Sequence, residues 1–235
     1  MVVSSPKKAL QFCDDLKFFL RNDPHGAVVY FPPYNLLPFK FLASHNETAA
    51  TRIRTLYNLI QQDRLPIVVT TVAALMKNVI PKRTLVDYAE LVLEGEEVDR
   101  DKLVNRLISG GYVSTAIVEE PGDFCTRGGI LDIFSPIYPD PFRIELFGDF
   151  VESIRFFSAA TQRTRENIKE AVIIPAKEVI LGEKQKKTVI ARIREQGARL
   201  GIPVTEVRRM VDRVREEGAF NGIESLIGLV YPALD

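Results

Sequence analysis

Phe142-Arg143-Ile144-Glu145-Leu146-Phe147, then Gly148-Asp149, then Phe150 to Phe157 reads as a strand, a tight turn and a returning strand. Side chains along a strand alternate between its two faces. Phe142, Ile144 and Leu146 therefore share one face, suited to a core, and Arg143, Glu145 and Phe147 share the other. A phenylalanine beside an arginine and a glutamate is unexpected on an outward face. In one reading Phe147 packs under a helix or begins the turn, and Arg143 makes an ordinary surface ion pair, because scattered exposed apolar residues are normal. In the other the three belong to an interface hot spot, where aromatics and arginine are enriched.

Working upstream, Gly122 to Phe134 holds one or two further short strands. Within it Arg127 precedes Gly128-Gly129, and glycines there let a strand bend or approach a neighbour closely. Arg127 is a second candidate for the recognition surface; the alternative is a plain arginine at the start of a strand. Asp99 can cap a helix carrying Leu103, Val104, Leu107 and Ile108, with Gly110-Gly111 ending it. Helix and hairpins together predict an α+β unit over residues 89–175.

The flanks read differently. Ser5 can cap a helix with Pro6 at its first position, and Ala9, Phe12, Cys13, Leu16, Phe19 and Leu20 recur at helical spacing until Asn22-Asp23-Pro24. Ala27 to Phe31 and Ile67 to Thr71 are apolar on both faces, as in a parallel sheet covered by helices. A second helix between them carries Ala49, Ile53, Leu56, Tyr57 and Ile60 on one face. This alternation predicts a doubly wound parallel-sheet α/β domain over residues 1–88. From about Pro175 the pattern is helical: Val189, Ile190 and Ile193 mark one helix. Beyond Gly201-Ile202-Pro203, Val204, Val207, Val211 and Val214 mark another, with Met210 on its flank. Residues 176–235 are expected to be a helical continuation of the α/β domain.

Composition narrows the function. The chain has 235 residues, 46% hydrophobic and 26% charged, enough apolar content for a sizeable core. Lys plus Arg and Asp plus Glu are balanced at 31 each, so bulk electrostatics does not favour nucleic acid. The basic runs Pro81-Lys82-Arg83 and Lys184-Gln185-Lys186-Lys187 are short and read as solvated faces. Cys13 and Cys125 sit in no CxxC or CxxH spacing, which argues for reduced thiols and against a disulfide framework or zinc. His25 and His45 have no ligand-spaced partner. The sequence contains no GxxxxGK[ST], HExxH or GxSxG, and only Gly26 precedes the first buried strand, so no phosphate cradle is expected there. These features predict a cytoplasmic protein with no membrane partner, no cofactor of its own and no catalytic site.

Pro121-Gly122-Asp123-Phe124-Cys125-Thr126-Arg127-Gly128-Gly129-Ile130-Leu131-Asp132-Ile133-Phe134 resembles the PGEFxxRGGIxDIF segment of the bacterial transcription-repair coupling factors (Mfd). Arg143 to Asp149, Glu152-Ser153-Ile154-Arg155 and Thr161-Gln162-Arg163 continue the likeness. Leu36-Leu37-Pro38-Phe39, Arg52 to Tyr57, Thr70 to Pro81, Ile173 to Glu178 and Gly222-Ile223-Glu224 are similar to the same family. The central motif is long and specific, and the flanking ones are individually weak.

The resemblance implies a fragment of the family's N-terminal UvrB-homology module. Such a module is a degenerate, helicase-like α/β half with an inserted UvrA-binding domain, and the fragment would start after the family's first strand and turn. It implies that the chain recruits UvrA in transcription-coupled nucleotide-excision repair, with Arg127, Arg143 and Phe147 as the UvrA-binding residues. ATP, RNA polymerase and DNA would be engaged by the family's translocase and polymerase-interacting parts. The same resemblance extends to UvrB itself, so a nucleotide- or DNA-binding fragment of a helicase-like repair enzyme is the alternative. UvrB carries a long tyrosine-rich hairpin, and between Tyr34 and Thr55 there is no room for one. A purely structural role for the face, against another domain of the parent chain, is a third. On the first reading, an acid at Arg127 or Arg143 is expected to abolish UvrA binding and leave the fold intact.

Overall fold

The computed structural model describes residues 1–20, 27–34, 46–61, 66–217, 220 and 222–231. His25, His45, the Asn22-Asp23-Pro24 stop and the Leu36-Leu37-Pro38-Phe39 run lie outside the described residues. Parallel and antiparallel sheets are both present, with helices against them.

The first part holds β1 (Val2–Val3), α1 (Pro6–Phe19), β2 (Val28–Phe31), α2 (Asn46–Gln61), β3 (Ile67–Thr71), α3 (Val72–Leu75) and α4 (Lys82–Tyr88). The strands form a parallel sheet in the order β1-β3-β2. The Ser5 hydroxyl accepts from the Lys8 amide and Pro6 opens α1, as the capping pattern predicts. Ala9 and Cys13 pack on Val28 and Val69. On the other face of the sheet, Phe31 lies against Arg52 of α2. Phe12 and Phe19, expected on the buried face of α1, are 37% and 79% exposed. A three-stranded sheet whose strands are two to five residues long is too small to cover a fourteen-residue helix.

The middle part contains β4 (Glu90–Leu93), α5 (Arg100–Ser109), β5 (Val113–Ser114), β6 (Asp123–Arg127), β7 (Ile130–Ile133), β8 (Phe142–Phe147), β9 (Phe150–Phe157), β10 (Thr164–Ile168) and β11 (Glu170–Ile173). Six strands form one sheet in the order β10-β9-β8-β7-β6-β5, antiparallel except for the short β5–β6 pair. Strands β4 and β11 make a separate antiparallel ribbon. The inner face of the large sheet carries Phe124, Leu131, Ile133, Phe142, Ile144, Leu146 and Ile154, packed on Leu103 and Leu107 of α5. Asp99 caps α5 as expected, its carboxylate accepting from the Lys102 amide at 2.8 Å. Asp99→Ala is expected to cost about 1 kcal/mol. A shift of the urea midpoint at constant m-value checks this, and an unmoved midpoint would show the cap contributes nothing.

The last part is helical: α6 (Glu183–Arg199), α7 (Val204–Glu216), a 3-10 turn (Ile223–Leu226) and α8 (Ile227–Val230). Val189, Ile193, Met210, Val211, Val214 and Ile223 form its core. Met210 is buried although periodicity alone put it on the flank. Among the described residues no helix is long and apolar enough to cross a membrane.

Candidate recognition surface

Strand register places Cys125, Asp132, Arg143 and Arg155 in one row across β6 to β9, and Arg127, Ile130, Glu145 and Ser153 in the next. Both rows lie on the face opposite the core, because their strand neighbours Phe124, Leu131, Ile144 and Ile154 point inward. In the first row Arg143 donates from Nε and Nη2 to the two carboxylate oxygens of Asp132, at 2.6 and 2.8 Å. The Asp132 side chain is 2% exposed and that of Arg143 22%. The Arg143 guanidinium also lies over the ring of Phe157, 5.1 Å from its centroid. Hydrogen bonding to Asp132 raises the guanidinium above its ordinary value, so Arg143 stays a cation. Arg155 of the first row pairs with Glu145 of the second, and the Ser153 hydroxyl donates to the same carboxylate at 2.9 Å. Bidentate and bridged pairs of this kind hold strands in register.

One end of the face is covered by a small cluster of Val118, Cys125, Phe134 and Phe157. The loop before β6 is held there by the Asp123 carboxylate, which accepts from the amides of Glu119 and Glu120 at 3.1 and 2.9 Å. That loop presents the Ala116 carbonyl to Arg127, which donates to it from Nη2 at 2.9 Å. Arg127 also donates from Nε to the sulfur of Cys125 at 3.3 Å. Its side chain is exposed, and it has no ion-pair partner among the described residues.

The opposite end is formed by two hairpin tips. Each turn has two residues, with glycine at positive φ in the first position: Gly128 at +57° and Gly148 at +62°. Gly129 is required for a different reason. A Cβ there would lie 2.5 Å from the carbonyl oxygen of Leu146, and the Gly129 carbonyl accepts from the Leu146 amide at 2.7 Å. The double glycine thus lets the β6–β7 tip sit directly against β8, bringing Arg127 to the same end as Phe147. A bulge at Glu152 shifts the register of β9 next to this tip, since Glu145 faces Ser153 but Leu146 faces Val151. Residues 95–98 run along the outer side of β9: Glu97 bridges Phe150 and the Val98 amide donates to the Asp149 carbonyl at 2.7 Å. The tip backbone is braced on both sides while its rings stand in solvent. Phe147 is 79% exposed and its cross-strand partner Phe150 is 45% exposed.

Phe147 is therefore not packed under a helix. Arg143 does make the intramolecular ion pair that was one of its two readings. An acid at position 143 would face the buried Asp132 carboxylate, so charge reversal there is expected to destabilise the fold as well as the contact. At Arg127, which is exposed, an acid would forfeit the bonds to the Ala116 carbonyl and the Cys125 sulfur but would meet no buried carboxylate. Sequence reasoning missed Phe150, although a two-residue turn after Phe147 makes Phe150 its direct partner. It also missed Asp132, Glu145 and Arg155 as a charged ladder, which only register reveals.

The surface can bury an aromatic pair flanked by cations and fixed ion pairs against another protein. Residues 92–179 match the family described as the UvrB interaction domain. Over 216 residues the chain is 35% identical to the transcription-repair-coupling factor of Myxococcus xanthus, covering 91% of this chain and 18% of that protein. The factor of Bacillus subtilis is 32% identical over 186 residues, covering 79% of this chain and 16% of the relative. That of Mycobacterium tuberculosis is 29% identical over 226 residues, covering 93% and 18%. The chain thus spans less than a fifth of the length of these relatives.

Proposed function

A chain that carries a UvrB interaction domain and matches transcription-repair-coupling factors over nine-tenths of its length belongs to their family, and on that premise we propose that it is a non-catalytic UvrA-recruiting module. The two hairpin tips form its contact, with Phe147 at the centre and Arg127 beside it. Arg143 acts from behind, holding Asp132 and the sheet in register. Residues 89–175 form the recognition unit, inserted into a helicase-like α/β scaffold of residues 1–88 and 176–235. Work on ATP, DNA and RNA polymerase falls, on this reading, to the parts of such proteins outside the matched fifth. The module acts in the cytoplasm in transcription-coupled nucleotide-excision repair.

The observation that carries the proposal is the 79% exposure of Phe147 on a braced tip. A phenylalanine held in water by a rigid turn gains most when a partner removes that water. Phe147→Ala is expected to weaken UvrA binding by about 2 kcal/mol, roughly thirtyfold, and Arg127→Glu by a similar factor. Calorimetric titration with UvrA measures both, and unaltered circular dichroism shows that the fold persists. Wild-type affinity in both variants would sink the proposal. A thermal shift on adding ATP, or tight binding to duplex DNA, would favour a helicase-like nucleotide- or DNA-binding fragment instead.

A further inference from the structure

Along α7, Val204, Val207, Val211 and Val214 repeat at intervals of three, four and three residues. This is the a/d spacing of a helix that packs against others along a seam. Only half of the seam is filled. Val211 and Val214 are buried with Met210 against Val189 and Ile193 of α6. Val207 is half-buried and Val204 is 81% exposed. A groove of about 490 Å³ follows the unfilled half, floored by Ala198, Ile202, Val204, Val207 and Val211.

The rim of this groove is basic, with Arg194 from α6, Arg208 and Arg215 from α7, and a single acid, Asp212. Arg208 and Arg215 directly follow Val207 and Val214, so they occupy the e position of two successive heptads. Charges at that position select the partner helix. Arg194 and Arg208 have no ion-pair partner among the described residues. Arg215 reaches Asp212 only at 3.7 Å, with both side chains about half exposed. Such a pair holds its members weakly. From Glu183 to Glu217 the chain has ten Lys or Arg against six Asp or Glu, although the whole chain is balanced.

We propose that the α6–α7 groove docks an amphipathic helix of a protein partner. The helix places apolar residues at heptad spacing over Val204 and Val207, up to the edge of buried Val211, and its flanking glutamates meet Arg194, Arg208 and Arg215. A phosphate backbone would satisfy the arginines and leave the valines in water. An apolar helix without acids would cover the valines and leave the arginines unpaired. A helix with both features matches the whole groove.

The test uses the full chain and a labelled synthetic peptide of about three heptads, with Leu at a and d and Glu at e and g. A second peptide carries Lys at the flanking positions, and duplex DNA is the competitor. Fluorescence anisotropy is expected to show binding of the Glu peptide alone, weakened by salt and not displaced by DNA. Arg208→Glu combined with Arg215→Glu should weaken the Glu peptide about tenfold and allow the Lys peptide to bind. Both arginines are solvent-exposed, so the double variant is expected to keep the wild-type circular dichroism. Failure of the Glu peptide to bind, equal binding of both peptides, or displacement by DNA would each overturn the proposal. So would a dimer in sedimentation that Val204→Asp abolishes, since the occupant would then be a second copy of the chain.

Discussion

Arg52→Met is expected to destabilise the protein by about 3–5 kcal/mol, the largest effect of any single substitution considered for this chain. Arg52 and Glu178 are both fully buried, and Nε donates to Oε1 at 2.5 Å and Nη2 to Oε2 at 3.3 Å. Nη1 donates to the Pro32 carbonyl at 2.7 Å. The guanidinium plane lies against the rings of Phe31 and Tyr34, 4.0 and 4.4 Å from their centroids. Removing the arginine leaves the Glu178 carboxylate buried and unpaired, and that desolvation cost exceeds the loss of the pair itself. The double variant Arg52→Met, Glu178→Leu should therefore recover most of the lost stability. Chemical denaturation of the two variants separates these terms. A single variant within ~1 kcal/mol of wild type would mean that water reaches Glu178.

The second large effect is an asymmetry in the Asp132–Arg143 pair. Its carboxylate is 2% exposed and its guanidinium 22%. Arg143→Met strands a buried anion and should cost about 2–3 kcal/mol. Asp132→Asn leaves a cation that can turn toward solvent, and should cost about 1 kcal/mol. The order matters for any binding experiment, because loss of UvrA affinity in an Arg143 variant would mix lost contact with lost fold. Equal costs for the two substitutions, read from urea midpoints, would show that Arg143 is as deeply held as its partner. Phe147 is free of this ambiguity, and Arg127 carries less of it, since it is exposed and bonds only to the Ala116 carbonyl and the Cys125 sulfur.

The bounds of the hairpin from Phe142 to Phe157 were legible, because period-two alternation around a Gly-Asp turn has no helical competitor, but the bulge at Glu152 leaves no such mark. The capped starts of α1 and α5 were legible for a similar reason: Ser5-Pro6 and Asp99 are local signals. Strand β10, Thr164 to Ile168, was not. Four of its five residues are exposed, so no apolar period marks it. Strands β4 and β11 were missed although Leu91-Val92-Leu93 and Ala171-Val172-Ile173 are apolar, because a short isolated run does not reveal its partner across the chain. At the recognition surface the sequence placed Arg143 and Phe147 on one face but could not show that Arg143 is already engaged. That depends on Asp132 being its direct cross-strand neighbour. The two family-like flanks around Arg52 and Ile173 to Glu178, weak when read apart, meet in space as the Arg52–Glu178 pair.

The β4–β11 ribbon has an evolutionary corollary. Glu90 lies opposite Ile173, and antiparallel neighbours are about 5 Å apart. Everything between these two strands therefore leaves the rest of the chain and rejoins it at a single doorway. Closely spaced ends are what insertion into a surface loop requires, but this segment is also tied to its flanks away from the ribbon, where Arg54 donates to the Pro136 carbonyl and the Ala176 amide to the Gly110 carbonyl.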